Sequence, residues 1–213
     1  VIGGLMLMES LGSILRRHWS GRGDVVWQSR HRQGQTDDSG WLQWDMLAEP
    51  WPGGVDLAGG VVLNLAGVTQ GDAASLAANV DLGLAGCNAA LAAGARHVFL
   101  CSSSAVYGRG MASRDALSED DPPQPATAYG EAKLRLERAA RHWQAEPGRP
   151  GVTLLRIGNV LGADALIGGL KPGRPVTLDP VPGQPFGPAR SYIGPAGLSR
   201  GDGMASAAPR RSV

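Results

Sequence analysis

Three short, largely apolar runs constrain the fold of this 213-residue chain more than any other feature: VVLNLAG at 61–67, VFLC at 98–101 and VTLLRIGNV at 152–160. A strand that is apolar on both faces must be covered on both faces, which is the condition of a parallel sheet between helices. Two weaker strand candidates precede them, DVVWQSRHR at 24–32 and WLQWDML at 41–47. Strand candidates near residues 25, 42, 61, 98 and 153 therefore alternate with helical patterns. The alternation predicts the α/β class, with a mainly parallel, doubly wound sheet and right-handed crossovers.

The helical stretches carry their own punctuation. Residues 1–20 should hold a strand and the first helix, with Ser10 as cap and Leu11, Ile14, Leu15, His18 and Trp19 as its inner stripe. From Asp72 to Ala93 the apolar residues Leu76, Val80, Leu84, Cys87 and Leu91 recur at helical steps, and Gly94 closes the segment. Asn79 falls off that stripe. Thr127 can cap a third helix, on which Glu131/Arg135 and Glu137/Arg141 are spaced i, i+4, and Pro147 to Gly151 end it.

Composition excludes more than it selects. A net charge of +1 gives no bulk attraction to nucleic acid or membrane, and no apolar run approaches the ~18 residues of a membrane span. Cys87 and Cys101 fall in an apolar helix pattern and a buried strand, where packing is their expected role and a reducing, cytoplasmic setting follows. No histidine or cysteine has metal-ligand spacing, so no metal is expected. The chain begins at Val1, which implies that some leading residues lie outside this sequence.

Chemistry concentrates between Val98 and Lys133. The run VFLC ends in SSSAVYG (Ser102 to Gly108), placing hydroxyls at the carboxyl end of a buried strand. Downstream, YGEAK (Tyr129 to Lys133) sets a phenol and an ammonium on one face of a helix's first turns. A nearby cation favours phenolate, so the spacing predicts a Tyr129 pKa lowered toward neutrality and a role as general acid or base. The chain has only three tyrosines and two lysines, Lys133 and Lys171, which makes the pairing informative.

At these residues the sequence resembles the NAD-dependent epimerase/dehydratase group of the extended short-chain dehydrogenase/reductase superfamily. The resemblance runs from about Leu11 to Ile193 through NLAG (Asn64 to Gly67), Asn79, SSSAVYG, YGEAK and LRIGNVLG (Leu155 to Gly162). It implies catalysis by Tyr129, Lys133 and Ser103, the serine lying four residues before the motif tyrosine Tyr107. For the cofactor, NAD or NADP, it implies Gly12, Asp45, Met46, Leu65, Ala66, Gly67 and Asn79, with Tyr129 and Lys133. Asn79 reads equally as an exposed helical asparagine. Arg30 and Arg32, at the tip of the second strand where NAD-preferring folds carry an acid, tilt the expectation toward NADP, against solvated loop charges as the alternative. Of the three glycines of a Rossmann turn only the last, Gly12, is present, and Met6 and Glu9 occupy the other positions. Ser104, Asn159 and Arg190 are the implied substrate contacts, the arginine in an Arg-x-Tyr-Ile segment that meets a nucleotide-sugar diphosphate.

Dehydratases of the group carry Asp-Glu directly after the catalytic hydroxyl residue, and Ser104-Ala105 stand there instead, favouring epimerase or reductase chemistry on a sugar nucleotide or similar small molecule. The expected division is a Rossmann-like domain over 1–162, then over 163–213 a C-terminally truncated substrate-domain stub and a disordered tail. Small residues beside the core stripes of the second and third helices imply a homodimer. The competing reading is a non-catalytic Rossmann-like dinucleotide-binding or sensor protein.

Overall fold

Each apolar run becomes a strand whose neighbour is reached through a helix. The computed structural model describes residues 10–30, 40–108, 117–161 and 192–200. In chain order these form α1 (Ser10–His18), β1 (Trp27–Ser29), β2 (Trp41–Gln43), β3 (Val61–Asn64), α2 (Ala73–Ala92), β4 (His97–Ser103), a 3-10 turn (Ser104–Tyr107), α3 (Ala128–Gln144), β5 (Gly151–Ile157), β6 (Asn159–Val160), β7 (Tyr192–Ile193) and α4 (Pro195–Arg200). Every strand pair among the described residues is parallel: β1 with β2, β3–β4–β5 in that order, and β6 with β7. The expected α/β class and the five strand candidates from residue 24 onward are present, and the strand expected ahead of α1 lies outside the described residues.

Successive residues on a strand point to opposite faces, and the core divides accordingly. On one face Val62, Val98 and Leu100 pack with Leu82, Cys87 and Ala90 of α2 and with Leu136, Ala140 and Trp143 of α3. On the other, Leu15 of α1 joins Trp27, Leu63, Leu155 and Val160. Helices therefore cover both faces, as a doubly wound sheet requires. Fully burying a side chain such as Leu100 or Leu136 contributes roughly 2–3 kcal/mol.

The caps follow the sequence. The Asp72 carboxylate accepts from the Ser75 N–H at 2.8 Å, and Thr127 Oγ1 accepts from the Gly130 N–H at 3.1 Å, so α2 and α3 both start on a side-chain acceptor. α2 ends at Gly94, whose φ of 72° is left-handed, with the Ala95 N–H returned to the Ala90 carbonyl.

Three expectations are corrected. The buried face of α2 is Leu76, Asn79, Leu82, Gly83, Gly86, Cys87, Ala89 and Ala90, while Leu91 is 40% exposed; the helix is apolar nearly all round, and glycines and alanines share its inner face with Leu76 and Leu82. At Gly83 an added methyl would collide with Leu136 Cδ1, so glycine sets how closely α2 and α3 approach. The strand expected over 152–160 breaks at Gly158: β4 ends at Ser103, opposite Ile157, and beyond that point Asn159 and Val160 pair with Tyr192 and Ile193 instead. The strand expected from Trp41 to Asp45-Met46 ends at Gln43, because Asp45 Oδ1 caps a turn by accepting from the Leu47 and Ala48 N–H groups.

Residues 192–200 return to the main sheet's side of the molecule. Trp19 Nε1 donates to the Ser199 carbonyl at 3.0 Å, tying α4 to the end of α1.

Candidate active site

The site forms where β4 runs out. Its last residues alternate: Ser102 is buried, and Ser103 is half-buried at the strand's carboxyl edge. Ser103 Oγ accepts from the Ala105 N–H at 3.1 Å and so caps the 3-10 turn. The first turn of α3 is drawn against that turn by Gly130, where a Cβ would stand 2.5 Å from the Ala105 carbonyl oxygen. Only glycine allows this approach, and it sets Tyr129, the residue before it, beside the 3-10 turn that Ser103 caps. One helical turn on, Lys133 is 2% exposed; its Nζ donates to the Cys101 carbonyl at 2.9 Å and lies 5.8 Å from the centre of the Tyr129 ring.

The electrostatics differ from the expected lowering. Burial pushes the Tyr129 phenol above its ordinary range, the Cys101 thiol adds to the rise, and the Ser103 hydrogen bond only partly opposes it. Burial also lowers the Lys133 ammonium, partly offset by Cys101. The ammonium thus stands beside the Tyr129 ring and is itself bonded to a backbone carbonyl.

The loop after β3 supplies the opposite wall. Asn64 Nδ2 donates to the Leu82 carbonyl at 3.0 Å and its Oδ1 accepts from the Ala66 N–H at 2.9 Å, folding Leu65, Ala66 and Gly67 back over α2. Asn79 completes this clamp and is fully buried, contrary to the exposed reading: Oδ1 accepts from the Val68 N–H at 3.2 Å, and Nδ2 donates to the Val68 and Leu76 carbonyls at 2.9 Å. Its amide therefore holds the loop. A Cβ on Gly67 would come within 2.8 Å of Lys133 Nζ and 2.9 Å of Asn79 Oδ1. Gly67→Ala should accordingly displace the lysine from Cys101 and weaken nicotinamide cofactor binding about tenfold or more, as read by fluorescence titration, with folding retained.

Other expected residues lie further out. Gly12 is buried within α1, Arg30 is exposed directly after β1, Met46 is buried and Asp45 is half-buried with its carboxylate engaged in its own turn. Ser104 opens the 3-10 turn and Asn159 opens β6, both half-buried. Met6, Glu9, Arg32 and Arg190 lie outside the described residues.

One group behind the site was not legible as functional. Glu137 is fully buried, accepting from Ser102 Oγ at 2.6 Å and from Arg156 Nε and Nη2 at 2.9 and 2.8 Å. The expected Glu137–Arg141 pair exists only at 3.7 Å, with Arg141 well exposed. The available signal was Arg156 itself, a charge inside an apolar strand, which must find a buried partner.

A family model described as the NAD-dependent epimerase/dehydratase family matches residues 12–173. The chain belongs to that family. It thus has the nicotinamide-enzyme fold of the extended short-chain dehydrogenase/reductases. The match opens at Gly12, so the two turn positions at Met6 and Glu9 precede it. No curated protein matches the chain. Among solved structures, MoeE5 in complex with UDP-glucuronic acid and NAD superposes with a TM-score of 0.74 at 23% identity, covering 99% of this chain and 73% of its own. The UDP-glucuronic acid 4-epimerase of Bacillus cereus, in complex with NAD and UDP-4-deoxy-4-fluoro-glucuronic acid, gives 0.70 at 19% identity, covering 96% and 72%. TunA, an NAD-dependent NDP-hexosamine 5,6-dehydratase, gives 0.59 at 23% identity over 75% and 55%. These likenesses carry the epimerase/dehydratase fold.

The described residues fit the family's nicotinamide cofactor at one point in particular: the cradle at Gly67, which a single methyl would fill, faces the ammonium of Lys133 beside Tyr129. Among the described residues no cluster of three histidine, cysteine or acidic side chains could hold a metal ion, and no helix is long and apolar enough to cross a membrane.

Proposed function

We propose that this chain is an NAD(P)-dependent epimerase or reductase acting at a hydroxyl or keto carbon of a sugar nucleotide, with Tyr129 moving the proton. The observation that carries the reading is the buried Lys133, its ammonium 5.8 Å from the centre of the Tyr129 ring and bonded to the Cys101 carbonyl, beside Ser103 at the carboxyl edge of the central strand. A bound nicotinamide would supply the hydride acceptor and donor. Tyr129 gives a proton to a substrate carbonyl oxygen or takes one from a hydroxyl, and Ser103 orients that oxygen. Lys133 reaches a cofactor ribose while its ammonium stays anchored on Cys101, and Leu65, Ala66 and Gly67 let the backbone approach the ring. Because burial holds the phenol protonated at neutral pH, the acid direction is ready in the free enzyme and the base direction gains with rising pH.

UDP-sugars accompany MoeE5 and the Bacillus cereus epimerase, which supports a sugar nucleotide as substrate, with Ser104, Asn159 and Arg190 as its contacts. Ser104-Ala105, in place of an Asp-Glu pair, favours epimerisation or reduction over loss of water. Those two structures hold NAD. Arg30, exposed at the tip of β1, nevertheless favours NADP, together with Arg32. NADPH should then bind about tenfold tighter than NADH in a fluorescence titration, and Arg30→Ala should remove most of the difference. Equal affinities would return the preference to NAD. The alternative, a dinucleotide-binding sensor without turnover, is favoured by Met6 and Glu9 at two glycine positions; incubating the chain with a UDP-sugar and cofactor and finding no product by NMR would select it.

We assign the Rossmann-like domain to 1–162, a partial substrate domain to 163–213 and the setting to the cytoplasm. α2 leaves Leu91 exposed and Val80 half-buried, apolar surface that supports a homodimer. Light scattering should return twice the chain mass; the single mass at high concentration refutes the dimer.

A further inference from the structure

Tyr129, Lys133 and Ser103 account for the proton relay, but a carboxylate and a guanidinium buried directly behind them remain unused. Glu137 follows Lys133 by one turn of α3, so Tyr129, Lys133 and Glu137 descend one face of the helix. Arg156 reaches it from β5 with two parallel hydrogen bonds, at 2.9 and 2.8 Å. The same guanidinium donates to Tyr107 Oη at 2.7 Å and to the Glu119 carbonyl at 3.4 Å, and it stands 4.8 Å from the centre of the Tyr107 ring. Ser102, the neighbour of Ser103, donates to Glu137 at 2.6 Å. One ion pair thus joins the end of β4, the end of the 3-10 turn, the 117–121 segment and α3. Ser103 and Tyr129 stand on two of these four pieces, the end of β4 and α3.

A buried pair of this kind is weak in net stabilisation compared with apolar residues of the same volume, so its position matters more than its strength. Ser103 is fixed on one side by Ser102 and on the other by a 3-10 turn whose last residue, Tyr107, rests on Arg156. Tyr129 is fixed by the helix that carries Glu137. We infer that Glu137 and Arg156 are positioning residues, which hold the strand end, the 3-10 turn and α3 in the one register that sets Tyr129 against the Ser103 end of β4. The inference rests on the proposed function for its catalytic meaning, but its geometric content does not depend on turnover.

The test uses small deletions that keep the charge pair intact. Ser102→Ala removes one hydroxyl from Glu137, and Tyr107→Phe removes one from Arg156; Ser102→Thr restores a hydroxyl at the first position. The chain has three tyrosines, Tyr107, Tyr129 and Tyr192, so tyrosine labelled with 13C at the ring carbon bearing oxygen gives one resolvable signal for each. Ser102→Ala and Tyr107→Phe should each move the Tyr129 signal, although their hydroxyls bond Glu137 and Arg156 and not Tyr129. Each should lower kcat about tenfold while KM and cofactor affinity stay nearly constant, and Ser102→Thr should recover both readouts. An unmoved Tyr129 signal with unchanged kcat, even alongside a lowered Tm, overturns the inference and leaves a merely structural pair. If the parent chain shows no turnover, the functional reading fails by itself, and the Tyr129 signal still decides whether the pair positions the two hydroxyls.

Discussion

Tyr129→Phe should lower turnover by about 10²- to 10⁴-fold while nicotinamide cofactor affinity changes by less than about twofold. The substitution removes one oxygen and keeps the ring, so the contacts that pack the start of α3 against the 3-10 turn persist. What disappears is the proton carrier itself. The pH dependence gives a second signature. Burial holds the phenol above its ordinary range, so over neutral pH it is protonated, and the step that needs a base must strengthen as pH rises into the alkaline range. That rise should be present in the parent chain's oxidation of a sugar hydroxyl and lost in the variant.

Glu137→Ala should cost about 3–5 kcal/mol of stability, enough to lower Tm by roughly 10 °C. The loss comes less from the bonds removed than from the guanidinium left behind: Arg156 keeps only 11% of its side chain exposed and would face a cavity in place of its counter-charge. Glu137→Gln should cost less, since its amide oxygen can still accept from Ser102. The acid limb of stability separates charge from packing. Burial raises the Glu137 carboxyl, but hydrogen bonds from Arg156 and Ser102 and the charges of Arg156 and Arg141 outweigh it, and the net value lies below the ordinary carboxylate range. The folded value being depressed, this contribution is complete above the unfolded carboxylate pKa and is lost as pH falls through the folded one. Tm measured against pH should show that loss in the parent chain and a flatter acid limb in Glu137→Gln.

The strands were readable because burial on both faces leaves a run of apolar residues in sequence, as in Val61 to Leu63 of β3 and Val98 to Leu100 of β4. Caps at Asp72, Thr127 and Gly94 were readable because the chemistry of a helix end is local. The inner face of α2 was not. With Ala, Gly and Leu on all sides the helix has no sharp stripe, and what chose its face was the volume available beside Leu136 and Asn64, set by Gly83 and Gly86. The break at Gly158 depends on β7, more than thirty residues away in sequence. Spacing correctly put Tyr129 above Lys133 on one helix. It could not reveal that Lys133 would be buried and Tyr129 half-buried, a desolvation that reverses the expected direction of the phenol's shift, nor that Glu137 would choose Arg156, nineteen residues away, over Arg141 one turn along.

The most direct test of the central claim follows the purified chain by proton NMR with UDP-glucuronic acid or UDP-glucose and added NAD or NADP, beside its Tyr129→Phe variant. The account predicts new sugar-proton signals from an epimer or keto sugar with the parent chain and their near absence with the variant, both proteins binding cofactor alike. Cofactor binding without any new sugar signal from the parent chain, or equal product from both proteins, would contradict it.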